Sequence, residues 1–262
     1  MPKEFYSEME KKNQISFIPV PDLPLIKAGD NLASEIYKSI LKASLEIEDG
    51  DIFVVAQKIV SKAEKREVQL DTITPSKEAI ELSKVSGKPA SLCQVILNES
   101  RKIIKVEPGI IVTEHRLGYI STSAGIDRSN TGSTSGDIAL LLPKDPDKSA
   151  SGIRIKLQQL LNKEISVIVS DSGGRADRLG SRGEAIGVAG IPALLREDKV
   201  DIFGRPLHTE IALADSVAAL ANLIMGESDE HCPVIVARGI KYTIDEEASI
   251  QTILKKGDSV FQ

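Results

Sequence analysis

The sequence predicts a mixed α/β (α+β) fold with mixed sheets, and three observations carry that expectation. Short β-branched runs, Ile52-Phe53-Val54-Val55-Ala56, Ile165-Ser166-Val167-Ile168-Val169 and Val234-Ile235-Val236-Ala237, have the composition of buried strands. Apolar residues between them recur at helical spacing, as in Leu32, Ile36, Ile40, Leu41 and Leu45. The two patterns mix without strict alternation, which argues against a regular succession of βαβ units. No Gly-x-Gly-x-x-Gly fingerprint and no Walker A sequence occurs, so the fold is not Rossmann.

The 262 residues are 41% hydrophobic and 27% charged, enough for one large domain or two lobes with a good core. Aromatic residues make up only 3% and Trp is absent, so the core is built from Ile, Leu, Val and Ala. Stacking on nucleic-acid bases is thereby disfavoured. A net charge of −5 also argues against a polyanion-binding surface, while leaving room for a local basic pocket that takes a nucleotide. Cys93 and Cys232 lie far apart with no CxxC or zinc spacing, which reads as two free thiols in a reducing cytoplasm. Met1 to Asn13 lacks the apolar core of a signal peptide, and no apolar run approaches the ~18 residues of a membrane span. A cytoplasmic protein without nucleic-acid or membrane partners is expected.

Along the chain, residues 1–14 read as a polar extension, 15–245 as the main domain and 246–262 as a tail. Ile15 to Val20 alternates like a strand, and Pro21 to Asp30 is a proline-punctuated loop carrying exposed apolar residues. The helix of Leu32 to Leu45 ends before a Glu48-Asp49-Gly50-Asp51 turn, and the Ile52 strand runs into Gln57 to Glu64. Lys58 and Lys62 closely follow that strand, where a cation can meet a phosphate; a solvated basic edge is the bland alternative. Thr74-Pro75 reads as a helix start with Thr as cap, and Gly87 as its end. A second helical pattern uses Leu92, Val95, Ile96 and Leu97.

Ile103 to Val106 and Gly109 to Thr113 read as neighbouring strands around a Pro-Gly turn. Glu114 to Gly118 would be their next loop, with His115 a lone loop histidine, exposed or in a polar contact, more than a general base. Residues 131–137 are Gly-, Ser- and Thr-rich and expected to be mobile. Asp145-Pro146 starts a helix with Ile153, Leu157, Leu160 and Leu161 on one face. Ala176 to Glu184 is loop-like, and the small residues of Ala185 to Gly190 suggest closely approaching backbones. A long helix is expected from about Thr209 to Met225, stopped by Gly226, with Pro233 to Gly239 as the last strand.

The chemistry concentrates where the Ile165 strand breaks into Asp171-Ser172-Gly173-Gly174-Arg175. An acid and a hydroxyl at a strand end, followed by two glycines, suit a metal and phosphate corner; an ordinary turn is the alternative. Ala124-Gly125-Ile126-Asp127-Arg128-Ser129-Asn130 makes a second acidic corner. Asp127, Asp171, Ser172 and Glu227 are hard oxygen donors at the ends of regular elements, which suits Mg2+ or Mn2+ better than zinc. Such a metal could bridge nucleotide phosphates during phosphoryl transfer, with Lys62 or Arg175 assisting catalysis. Ser-His-Asp chemistry is disfavoured because no nucleophile elbow is present.

Seven motifs occur in order: Leu23-Pro24-Leu25-Ile26, Val55 to Glu64, Thr113-Glu114-His115-Arg116, Ala124 to Asn130, Ser170-Asp171-Ser172, Ala185-Ile186-Gly187 and Met225-Gly226-Glu227. This order resembles the coenzyme F420-0:L-glutamate ligase family over roughly residues 16 to 240. It implies a GTP-dependent ligase that joins L-glutamate to the lactyl-phosphate carboxylate of a deazaflavin through an acyl phosphate, with further γ-linked glutamates as an extension. By motif, Asp127, Asp171, Ser172 and Glu227 would be ligands of Mg2+ or Mn2+. Leu23, Pro24, Leu25, Ile26, Gln57, Lys58, Lys62, Asn130, Met225, Gly226, Ser228 and Asp229 would line the GTP site. A two-lobed homodimer around a cleft is implied as well, and an auxiliary K+ stays open. After Arg175 the family commonly has aromatic or basic residues and then Arg-x-Gly, whereas the run Ala176-Asp177-Arg178-Leu179-Gly180 carries an added acid and no aromatic. A related ligase with another carboxylate acceptor, or a non-catalytic nucleotide-binding protein, are the alternatives.

Overall fold

The computed structural model describes residues 14–132, 137–175 and 178–254, the side chains of Arg175 and Arg178 excepted. In chain order the first elements are β1 (Ser16–Pro19), α1 (Leu32–Ala43), β2 (Ile52–Ala56), α2 (Gln57–Ala63), β3 (Glu67–Gln69), α3 (Lys77–Ser86), α4 (Ala90–Glu99), β4 (Ser100–Glu107), β5 (Ile110–His115) and β6 (Ile120–Thr122). There follow β7 (Ile138–Leu140), α5 (Pro146–Leu161), β8 (Ser166–Arg175), β9 (Arg178–Ala189), β10 (Leu194–Val200), β11 (Pro206–Ala212), α6 (Leu213–Met225) and β12 (Val234–Arg238).

A five-stranded mixed sheet, order β1-β12-β2-β8-β9, organises the chain, and its single parallel pair is β2 with β8. Its central strands are apolar on both faces because both faces are covered. Phe53, Val55, Val167, Val169 and Val236 pack with Ile36 and Ile40 of α1 and Ile153 and Leu157 of α5. The alternate residues Ile52, Val54, Ile168 and Ile235 pack with Val217, Ala218 and Ala221 of α6. A third apolar cluster joins Ala79 of α3, Leu92, Cys93 and Ile96 of α4, Ile111 of β5 and Ala139 of β7. The mixed α/β expectation and the non-Rossmann topology agree with this arrangement. Among the described residues no helix is long and apolar enough to cross a membrane.

Capping chemistry sets several boundaries. Asn31 accepts from Ser34 N at 3.0 Å to start α1, and Asp145 accepts from Lys148 N at 3.2 Å to start α5 with Pro146 in the first turn. The small residues of β9 do mark close backbones: a Cβ on Gly187 would lie 2.4 Å from the Pro146 carbonyl, and one on Gly183 only 2.3 Å from that of Ala218. Beyond Asp245, Ile250 is buried against the α6 cluster, and the Asp147 carboxylate accepts from Ser249 Oγ at 2.8 Å.

Four local expectations need correction. The cap of α3 is Ser76, not Thr74, since the Ser76 hydroxyl accepts from Ala79 N. Asp171 to Arg175 and the described part of the segment after it are not loops but the two arms of the β8–β9 hairpin. Ladder hydrogen bonds there override the weak strand propensity of Gly and Ser, and register shifts at Val169/Ser170 and Gly174/Arg175 take up the misfit. The last long helix starts at Leu213, because Thr209 to Ala212 is drawn into β11, paired with a β10 that had no clear signal. Finally, His115 is neither in a loop nor exposed: it ends β5 fully buried, with Nε2 3.5 Å from Glu99 Oε2. Of the 131–137 segment, Thr131 is buried, while 133–136 lie outside the described residues, as do 1–13, 176–177 and 255–262.

Candidate active site

Parallel pairing of β2 and β8 ends where Ala56 aligns with Ser170, so the residues just after Ala56 and just after Ser170 emerge side by side at one sheet edge. Open α/β sheets place ligands at such an edge. From β2 the chain turns directly into α2, whose four-residue spacing puts Lys58 and Lys62 on one helical face. From β8 come Asp171 and Ser172. The third wall is the loop after α6, where Gly226 ends the helix at φ 70° and turns the chain back toward β12.

These elements enclose a cavity of about 630 Å3. It is lined by Leu23, Pro24, Leu25, Ile26, Gln57, Lys58, Lys62, Asn130, Asp171, Ser172, Met225, Gly226, Glu227, Ser228 and Asp229. The structure therefore brings together nearly every residue singled out from the sequence. Asp127 is the neighbour rather than a wall: its Oδ2 lies 2.7 Å from Lys58 Nζ. Arg175 closes β8, and its side chain lies outside the described residues.

Backbone strain aims Asp127. Ser123, Ala124 and Gly125 all take positive φ (51°, 55° and 65°), and a Cβ on Gly125 would stand 2.8 Å from Leu142 Cδ1. Asp127 is then pinned by two backbone hydrogen bonds with Leu140. Burial alone would push its carboxyl up, but the Lys58 ammonium and the Ser129 N–H and hydroxyl hold it below the usual range. Lys62 Nζ donates to the Asn130 carbonyl at 2.5 Å, and Asn130 Nδ2 donates to the Ser228 carbonyl at 3.1 Å. The Asp127 corner is thus tied to both α2 and the loop after α6.

Asp171 behaves oppositely. Burial, then the charges of Asp127 and Glu184, push its carboxyl up to about 7 against the help of Ser172 N and Lys58. Crowded carboxylates beside a hydroxyl form a donor set that a hard cation would relieve. Among the described residues, however, no three His, Cys, Asp or Glu side chains converge tightly enough to hold a metal by themselves.

Sequence reasoning overlooked several groups at this edge. Ser170 Oγ and Thr131 Oγ1 are buried polar atoms without a protein partner, and both residues line the cavity; Gln57, already singled out from the sequence, adds its unpartnered Nε2. Asn222 also lines it, and its only signal was an amide inside the apolar run Leu220-Ala221-Asn222-Leu223-Ile224.

A profile of the F420-0:Gamma-glutamyl ligase family matches residues 22–239. The chain belongs to this family. A coenzyme F420:L-glutamate ligase of Methanocaldococcus jannaschii is 41% identical over 256 residues, covering 97% of this chain and 99% of that protein. Another, from Methanothermobacter thermautotrophicus, is 43% identical over 227 residues, 86% of this chain and 89% of that protein. The Archaeoglobus fulgidus enzyme of the same name is 37% identical over 257 residues, covering 93% and 99%. The family read from the motif order is the family the comparisons give, and the match spans β2, α2, β8, α6 and the cavity between them.

Proposed function

We propose that this chain is a cytoplasmic, GTP-dependent ligase that forms an amide between L-glutamate and the lactyl-phosphate carboxylate of a deazaflavin of the F420 type. The observation that carries the reading is the cavity itself, where Lys58 and Lys62, the oxygen donors of Asp171, Ser172 and Glu227, and the unpartnered polar atoms of Gln57, Thr131 and Ser170 line one space. Its volume of about 630 Å3 suits a nucleotide-sized ligand.

In this reading Leu23 to Ile26, Gln57, Asn130 and the loop from Met225 to Asp229 hold GTP, and Lys58 and Lys62 face its phosphates. The acceptor carboxylate oxygen takes the γ-phosphoryl group, giving an acyl phosphate and GDP. The glutamate amine then attacks the acyl carbon, the C–N bond forms and inorganic phosphate leaves. Activation is required because a carboxylate is a poor acyl donor, whereas phosphate is a good leaving group. Asp127, Asp171, Ser172 and Glu227 would hold Mg2+ or Mn2+, which when bound neutralises the charge gathered on the phosphates. Lys62 and Arg175 would stabilise the transferring group.

Mass spectrometry of a reaction with GTP, Mn2+ or Mg2+, L-glutamate and the unglutamylated deazaflavin tests this, with GDP release followed alongside. A product heavier by one or more glutamyl units, formed only with both GTP and metal, is expected. GTP binding without that product would move the assignment to a different carboxylate acceptor, or to a protein that binds the nucleotide without turnover.

The dimer belongs to the same proposal. The β10–β11 hairpin ends in Ile202 and Phe203, which are 92% and 78% exposed, and Val200, Leu207 and Ile211 along its arms are exposed as well. Apolar side chains exposed on a protruding hairpin suit a second copy of the chain. Replacing Ile202 and Phe203 together by Asp should convert a dimer to a monomer in light scattering. An unchanged mass for the double variant, or a monomeric wild type, would remove the hairpin from the interface.

A further inference from the structure

Glu227 stands on the exposed rim of the cavity, where water alone would satisfy its carboxylate. Three donors from three elements converge on it instead. Asn222 of α6 donates from Nδ2 to Oε1 at 2.9 Å, and Ser181 of β9 donates its hydroxyl to the same oxygen at 3.1 Å. Ser172 of β8 donates its hydroxyl to Oε2 at 3.0 Å. Ordering these four side chains, two of them exposed and two half-buried, costs rotamer entropy and returns little stability near a surface. Such a set makes sense where orientation matters.

We infer that Asn222 and Ser181 are positioning residues that fix the Glu227 carboxylate for cation binding. The inference rests on the reading of Glu227 as a ligand of the divalent metal. Both act on Oε1, so Oε2 is left turned toward Ser172 and the cavity. Their frame is rigid. Gly226 N bonds the Asn222 carbonyl at 3.0 Å, so residue 222 and residue 227 are clasped across the helix stop. A Cβ on Gly183 would lie 2.8 Å from Asn222 Cβ, so β9 is pressed directly onto α6 beside the donor pair. Removing a partner that orients a metal ligand typically weakens metal affinity by about 10- to 100-fold.

The test is a titration of Mn2+ into the nucleotide-free chain, with free Mn2+ read by electron paramagnetic resonance. Wild type is compared with E227Q, N222A, S181A and S181T. N222A should raise the Mn2+ Kd by about 10- to 100-fold. S181A should raise it less, and S181T, which keeps the hydroxyl, should bind close to wild type. The turnover lost in N222A should return as Mn2+ is raised, which a purely structural defect would not allow. If E227Q binds Mn2+ like wild type, or wild type shows no site, the metal reading of Glu227 fails and this inference with it. If E227Q loses the ion while N222A and S181A keep wild-type affinity, the positioning role alone is overturned. Should N222A not fold, the S181A and S181T pair decides, and equal weakening in both would count against the hydroxyl.

Discussion

The Asp171→Asn variant is expected to lose GTP turnover by roughly a thousandfold while melting no earlier than wild type in the absence of metal. The two halves of this expectation have separate causes. Asn keeps the shape and the acceptor that Ser172 N bonds at 2.9 Å, so β8 should keep its course. What it removes is the charge. In the folded chain that charge is disfavoured by burial and by the carboxylates of Asp127 and Glu184, which is why the group is pushed up to about 7. An amide relieves the crowding, so a metal-free melt at pH 8 should show equal or higher stability. Loss of function with retained or improved stability marks a side chain kept for chemistry rather than for folding. GDP release and thermal melting measured on the same preparation check both halves. Full turnover with unchanged metal dependence would falsify the assignment, and a large drop in melting temperature would make Asp171 a structural acid instead.

Much of the site was legible because its chemistry sits in local sequence. Asp171-Ser172 directly follows the buried part of β8, Lys58 and Lys62 come just after β2, and Glu227 follows the glycine that stops α6. The parallel pairing of those two strands then needs no special signal to bring the groups together. What escaped the sequence depends on partners far along the chain. The β8–β9 hairpin carries glycines and serines that read as loop, and only ladder pairing between Asp171 and Glu184, or Gly173 and Arg182, makes them strand. The β10–β11 hairpin was lost for a similar reason: Leu194 to Val200 and Pro206 to Ala212 expose most of their residues, so no buried face imposes a period. His115 shows the same limit for a single side chain. Its burial follows from Glu99, which stands sixteen residues earlier at the end of α4.

That buried acid carries the largest stability effect. Glu99 Oε2 lies 2.8 Å from Arg66 Nη2, 3.2 Å from Arg116 Nη2 and 3.5 Å from His115 Nε2. Glu99 and Arg66 are 8% and 11% exposed, and His115 is fully buried. Glu99→Ala leaves two guanidinium groups, one of them largely shielded from water, and the buried His115 without their shared anion, and should cost about 3–5 kcal/mol. For a chain of this size that is a fall in melting temperature of about 6–20 °C. The acid dependence follows from the same contacts. Burial opposes ionisation of Glu99, but the His115 contact and the two arginines outweigh it and hold the carboxyl below its ordinary 4.5. A depressed carboxylate stabilises the fold above its unfolded value and loses that contribution as pH falls through the folded value. Wild type should therefore lose stability below about pH 4.5 more steeply than Glu99→Gln, which has no proton to take up. The consequence reaches the cavity. Arg66 follows α2, donates from Nε to the Leu142 carbonyl at 2.8 Å, and accepts from Leu141 N through its own carbonyl. It thereby fixes the strand whose Leu140 pins Asp127 beside Lys58. Below its melting point the Glu99→Ala protein should accordingly show weakened GTP turnover as well as reduced stability. Wild-type turnover with only a lower melting temperature would separate the buried network from the placement of Asp127.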